Sequence, residues 1–177
     1  MSQLHVLIET NCALLRQGQQ AMALDDAALY RPDPSAPGGS IGAHFRHVLE
    51  HYTGFFSGLA TGRIDYDARA RDAALESDAA LARAAAEQII EQLQRCPAAL
   101  ADQPVQVNVA VATASHGRPQ WSDSTIAREL AYLLSHTVHH YALIALHARQ
   151  RGIELGEEFG VAPSTIEYRS TQLAASR

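Results

Sequence analysis

The sequence predicts an all-α protein, a four-helix bundle with a small β-hairpin inserted before the fourth helix. Three observations carry this expectation. Four long stretches place apolar residues every three or four positions, the period of a helix with one buried face. Clusters of proline and glycine or of charged residues separate the first three, and breaks of this kind divide helices from one another. Only "VQVNVAVAT" alternates valine with polar or small residues at period two, with "SHGRPQWSDS" as a turn and return strand. Helices of this kind bury their stripes against one another, with the hairpin as an insertion.

In the first helix, over about residues 3–24, Leu4, Ile8, Leu15 and Met22 share one face, and Asn11 and Gly18 fill the remaining seam positions. "YRPDPSAPGGS" ends it, and Ser40 is an N-cap for the next. The second helix runs from Ile41 to about Ala60 on a stripe of Ile41, Phe45, Val48, Tyr52, Phe55 and Leu59, and Gly62 stops it.

"RIDYDARARD" reads as a charged connector in which Asp65, Asp67, Arg69 and Arg71 either pair locally in solvent, the commoner case, or border a pocket. Ser77 then caps an alanine-rich third helix that turns Leu81, Ile89, Leu93 and Cys96 to the core, with Pro97 and Pro104 bracketing its end. Trp121 is expected to anchor the hairpin on the helices. Ser122, Asp123 and Ser124 offer caps for a fourth helix from about Thr125 to Arg151, closed by Gly152. "APSTIEYRSTQLAA" forms a short final helix with Pro163 in its first turn. The size prior makes residues 1–177 a single domain.

The chain carries 14 basic against 19 acidic residues, a net charge of -5, and its basic residues form no stripe. That pattern argues against nucleic acid or an anionic membrane and favours a small-molecule substrate. No run of eighteen apolar residues occurs, and the N-terminal residues lack the charged and apolar regions of a signal peptide, so a cytoplasmic protein is expected. Cys12 and Cys96 are far apart in sequence and form no CxxC pair, as suits ordinary small buried residues in a reducing compartment.

The chemistry concentrates in the histidines. In "LLSHTVHHYALI", His136 and His140 stand four apart, so their rings stack on one helix face about 6 Å apart at Cβ and can reach one ion. His139 lies about 100° round the helix and is read as a supporting or structural residue. His147, near the helix end, reads as exposed or capping. Glu129 either accepts a hydrogen bond from the site or faces water. A third ligand must come from another helix, and the second helix offers His44, His47 and His51. Projection leaves all three open: His44 and His51 lie nearer the centre of the apolar stripe, and His47 lies at its edge. Taken singly, each of these histidines is more often a satisfied packing residue than a ligand; their concentration on two helices favours a site.

In "SIGAHFRHVLE", Ile41 and Phe45 precede His47 by six and two positions, Val48 follows it, and Glu50 stands three places on. "SHTVHH" supplies His136 and His140. These two motifs resemble those of the DinB-like family (damage-inducible B, also called YfiT-like) of metalloenzymes. The resemblance runs from the first helix to the end of the fourth. It implies an up-down-down-up bundle and one divalent ion, zinc or nickel, held by His47, His136 and His140. It also implies a homodimer and, by similarity to some relatives, thiol-dependent transfer or hydrolysis with a low-molecular-weight thiol. From the residues themselves, His51 and His139 are candidates for supporting positions, and Glu50, one turn from His47, is either a supporting partner or, more often for such a pattern, a surface carboxylate. Many members carry Arg-Gly-Gln after the second motif, where this chain has "HHYALI".

Three neutral histidines leave such an ion its full double charge and an open coordination position, the arrangement of catalytic and not structural zinc. The competing expectation is a non-catalytic metal- or ligand-binding bundle in stress response.

Overall fold

The computed structural model describes residues 2–24, 30, 40–109 and 119–175, without the side chains of 98, 173 and 175. Most of the proline-rich break (31–39) and the tip of the expected hairpin (110–118) lie outside the described residues. The fold is mostly helical, with one small sheet. In chain order it comprises α1 (Gln3–Leu24), α2 (Ile41–Leu59), β1 (Arg63–Asp65), α3 (Ala73–Ser77), α4 (Ala79–Gln94), a 3-10 turn (Ala98–Leu100), β2 (Pro104–Asn108), β3 (Trp121–Thr125), α5 (Ile126–Gln150) and α6 (Pro163–Ala175). None of the described helices is long and apolar enough to cross a membrane.

The helix starts follow from local hydrogen bonding. Ser40 caps α2 as expected, its hydroxyl accepting from the Ala43 N–H at 3.0 Å. The other two caps differ from expectation. Ser77 ends α3, where its hydroxyl donates to the Ala73 carbonyl, and Asp78 caps α4 by accepting from the Ala80 and Leu81 N–H groups. A carboxylate at that point also meets the positive end of the helix dipole. Ser122, Asp123 and Ser124 belong to β3, and Thr125 caps α5 by accepting from the Arg128 N–H.

In α1 and α2 the stripes face inward as expected, with Leu59 half-buried. In α4 the inward residues are Ala79, Ala82, Ala86, Ile89, Ile90 and Leu93, whereas Leu81 is 48% exposed. Small alanines at 82 and 86 let this helix approach its neighbours closely, and Leu81 falls off that face. Both α1 and α2 pack against α4 and α5.

At the centre, the Tyr52 hydroxyl donates to Asn11 Oδ1 at 2.6 Å, and Asn11 Nδ2 donates to the Leu130 carbonyl at 3.2 Å and the Leu7 carbonyl at 2.7 Å. This wholly buried bridge joins α1, α2 and α5. The Tyr52 hydroxyl also lies 3.1 Å from Thr137 Oγ1 on α5, so buried polar groups of three helices meet at one point and set their relative register.

The charged connector is structured. β1 pairs parallel with β2, which pairs antiparallel with β3, extending the expected hairpin to three strands. Among the described residues, Asp65 forms no ion pair. Its Oδ1 accepts from the Asp67 and Ala68 N–H groups and from Asn108 Nδ2, fixing the turn after β1. The 63–77 segment runs closely along α2 because glycine leaves room. A Cβ at Gly58 would meet Ile64 Cα at 2.7 Å, and one at Gly42 would collide with the Glu76 carbonyl. Trp121 is half-buried, with the Arg63 guanidinium 4.8 Å over its ring, so this contact runs within the sheet.

Candidate metal centre

Two helices present a histidine array to each other. α2 contributes His44, His47 and His51 from successive turns, and α5 contributes His136, His140 and His147. Ring centroids lie 5.0 Å apart for His47–His136, 4.5 Å for His47–His140 and 4.5 Å for His136–His140. One ring nitrogen from each of these three lies within 4.8 Å of one from both others. The i, i+4 pair on α5 and the packing of α2 across it suffice to produce this meeting.

Electrostatics keep the rings neutral. Burial, followed by the neighbouring imidazoles, pushes His47 down to about 2 and His140 to about 3, from an ordinary 6.5. His136 is lowered to about 4 for the same reasons, and the Arg69 cation adds to the effect on all three. Neutral imidazoles are the form that binds a cation. His136 Nε2 is buried and has no hydrogen-bond partner among the described residues. Such an atom is costly unless something absent from the protein itself satisfies it. This donor set therefore fits a divalent cation.

The remaining second-helix candidates are committed elsewhere. His51 Nδ1 donates to the His47 carbonyl at 2.8 Å, leaving Nε2 to accept from Arg69 Nη1 at 3.2 Å. Burial lowers His51 to about 4. His44 Nδ1 lies 3.0 Å from His140 Nδ1, so one proton is shared between the two rings. His139 is exposed, its ring set edge-on to that of His140 at 5.2 Å. Contrary to expectation, His147 is 7% exposed, and its ring stacks on that of His44 at 5.7 Å.

Residues outside the sequence motif complete the surroundings. Arg69, of the charged connector, turns inward and also donates to the Tyr66 carbonyl at 2.7 Å. Glu50 is 6% exposed, accepts from the Asp72 N–H at 2.7 Å and stands 4.0 Å from Arg69 Nε, so it anchors the 63–77 segment to α2. Tyr66 stacks on His51 and Tyr132 on His136. Glu129 is buried and accepts from the Ser124 hydroxyl at 2.5 Å. Burial first, and then the Glu129 carboxylate, push the Tyr66 phenol upward. Glu50, Arg69, Arg63, Thr53 and Ser57 help line a cavity of about 340 Å³ between α2 and the 63–70 segment. The sequence held no local sign of the roles of Arg69, Tyr66 or Tyr132, because their partners lie on other elements.

Cys12 is buried, and burial raises its thiol to about 11, away from nucleophilic use. Cys96 is half-buried and likewise raised by burial.

A helical chain that gathers three neutral imidazoles from two helices has the makings of a metal-binding protein. It belongs to the DinB superfamily, whose family model matches residues 19–144. Among curated proteins it is similar to FK506-binding protein 5 of Rhizopus delemar, with 28% identity over 109 residues. That match takes in 62% of this chain and 28% of the relative, so the chain spans little more than a quarter of that protein's length. No solved structure matches the chain significantly.

Proposed function

We propose that this protein is a divalent-metal-dependent enzyme acting on a small molecule, with His47, His136 and His140 as the metal ligands. The observation that carries the reading is the convergence of three neutral ring nitrogens within 4.8 Å, one of them on the His136 ring whose buried Nε2 has no partner among the described residues. Held by these three imidazoles, a divalent ion would supply the Lewis acidity that generates a nucleophile at neutral pH. The chain's own residues supply the setting. Tyr66 and Tyr132 cover His51 and His136 on one side, and Arg69 places a fixed cation beside the rings.

The reaction class is thiol transfer, using a low-molecular-weight thiol, or hydrolysis. The cavity along α2 offers room for a small substrate beside Arg69. Zinc or nickel suits an all-imidazole set. The wider reading is of one cytoplasmic DinB-like domain over residues 1–177, an up-down-down-up four-helix bundle that forms homodimers. The packing of α1 and α2 against both α4 and α5 supports the bundle.

The test is to purify the protein without an affinity tag and measure bound metal, then repeat with His47→Gln and His136→Gln. Wild type is expected to carry about one ion per chain, and each variant to lose affinity by more than the ~10–100-fold that removing a supporting residue costs. A wild-type protein that takes up neither zinc nor nickel at micromolar concentration overturns the reading. Stoichiometric metal with no turnover of thiol-transfer or ester substrates would favour the non-catalytic alternative.

A further inference from the structure

We propose that His44 is a positioning residue of the metal centre, holding His140 in the tautomer that leaves Nε2 free for the cation. The inference rests on the ligand assignment above and adds to it a residue that is not itself a ligand.

The two Nδ1 atoms face each other at 3.0 Å, a hydrogen-bond distance that requires one proton between two lone pairs. Two arrangements satisfy it. In one, His44 donates, and neutral His140 then carries its own proton on Nε2, which blocks that nitrogen from binding a metal. In the other, His140 Nδ1–H donates to His44 Nδ1, and the His140 Nε2 lone pair is free. Loading with a cation selects the second.

His44 is built to hold this position. It is 6% exposed, and its ring face rests on that of His147, itself 7% exposed. In the selected arrangement its own proton sits on Nε2, which is buried without a partner. The geometry therefore leaves the Nδ1 contact as the only hydrogen bond of this ring among the described residues.

Metal-bound histidines commonly donate their other N–H to a carboxylate, a backbone carbonyl or water. Here the acceptor is a neutral imidazole, which brings no negative charge to the site. His140 then passes less electron density to the cation than a carboxylate-supported ring would, and the cation remains the stronger Lewis acid.

Zinc affinity is to be measured by competition with a chromophoric chelator for wild type, His44→Phe and His44→Asn, with circular dichroism to verify folding. His44→Phe keeps a planar ring without an acceptor, and His44→Asn restores an acceptor on a smaller side chain. The expected result is a loss of ~10–100-fold in His44→Phe and recovery of most of that loss in His44→Asn. In parallel, long-range ¹H–¹⁵N spectra of zinc-loaded wild type are expected to place the His140 proton on Nδ1 and the His44 proton on Nε2. This measurement does not depend on any variant folding.

Unchanged affinity in His44→Phe, equal weakness in both variants, or a zinc-loaded His140 lacking its Nδ1 proton each overturns the proposal. Wild type that binds no zinc or nickel defeats the ligand assignment itself, and the role of His44 with it. Wild type that binds while His44→Phe binds equally well defeats only the role of His44.

Discussion

Arg69 Nη1 donates to His51 Nε2 at 3.2 Å, so a guanidinium from a loop touches the edge of a cluster of uncharged imidazoles. A cation there opposes protonation of its neighbours, and it contributes to lowering His47, His51, His136 and His140. Replacing it with Gln removes the charge while retaining a donor for the Tyr66 carbonyl. The four histidines of metal-free Arg69→Gln should titrate at higher pH than in wild type, yet still below 6.5, because burial is the larger cause for each. Histidine NMR titrations decide the matter, and values unchanged or lower would contradict it.

The same depressed values make the metal-free protein acid-sensitive. An unfolded histidine takes up its proton near 6.5, whereas folded His51 and His136 wait until about 4 and His140 until about 3. Between those limits the unfolded chain binds more protons, so stability is full above 6.5 and declines as pH falls through the window. Urea midpoints of apo-protein should drop steadily from pH 7 to pH 4. Saturating zinc at pH 7 should raise the midpoint and EDTA should reverse it, because the ion binds the folded state. A midpoint flat between pH 7 and 4 would refute the account.

Asn11→Ala should be among the costly core changes. It removes the acceptor of the Tyr52 hydroxyl, which keeps only Thr137 Oγ1 at 3.1 Å, and the amide that ties α1 to the Leu130 carbonyl. The expected cost is about 3 kcal/mol, against about 1 kcal/mol for Tyr52→Phe, which removes one hydroxyl and spares the other bond to Leu130. Denaturant unfolding of both variants measures the difference, and equal effects would remove the bridge from the explanation of helix register.

Two glycines of α2 should respond with opposite sign. At Gly58 a new methyl would collide with the Arg63 carbonyl and the Ile64 Cα, displacing β1, so Gly58→Ala should destabilise by ~1–3 kcal/mol. At Gly54 the nearest atom is the Asp65 carbonyl oxygen at 3.6 Å, an ordinary contact. Gly54→Ala should therefore gain up to ~1 kcal/mol from reduced backbone freedom in the unfolded chain. Thermal unfolding of the pair checks both signs in one experiment.

The long helices were legible because each repeats its apolar residues at helical spacing over four or more turns, as from Leu4 to Met22 or Ile41 to Phe55. The 63–77 segment was not, because its order comes from distant partners. β1 pairs with residues 106–108, Asp65 reaches Asn108, and Glu50 accepts from Asp72. Capping resisted the reading at single-residue precision, since Ser77 and Asp78 are adjacent competent caps and only the backbone path selects one. The meeting of His47 with His136 and His140 was expected from motifs, not from helical projection. The engagement of His51 by Arg69 and the burial of His147 against His44 each depend on a residue from another element.

The chain has one tryptophan, and it resides in the sheet beneath Arg63, away from the helix interior. Indole fluorescence is thus a local reporter on the three strands, whereas far-ultraviolet ellipticity follows the helices. Monitoring both signals in one denaturation would reveal whether the strap bearing Arg69 loosens before the imidazole-bearing helices part.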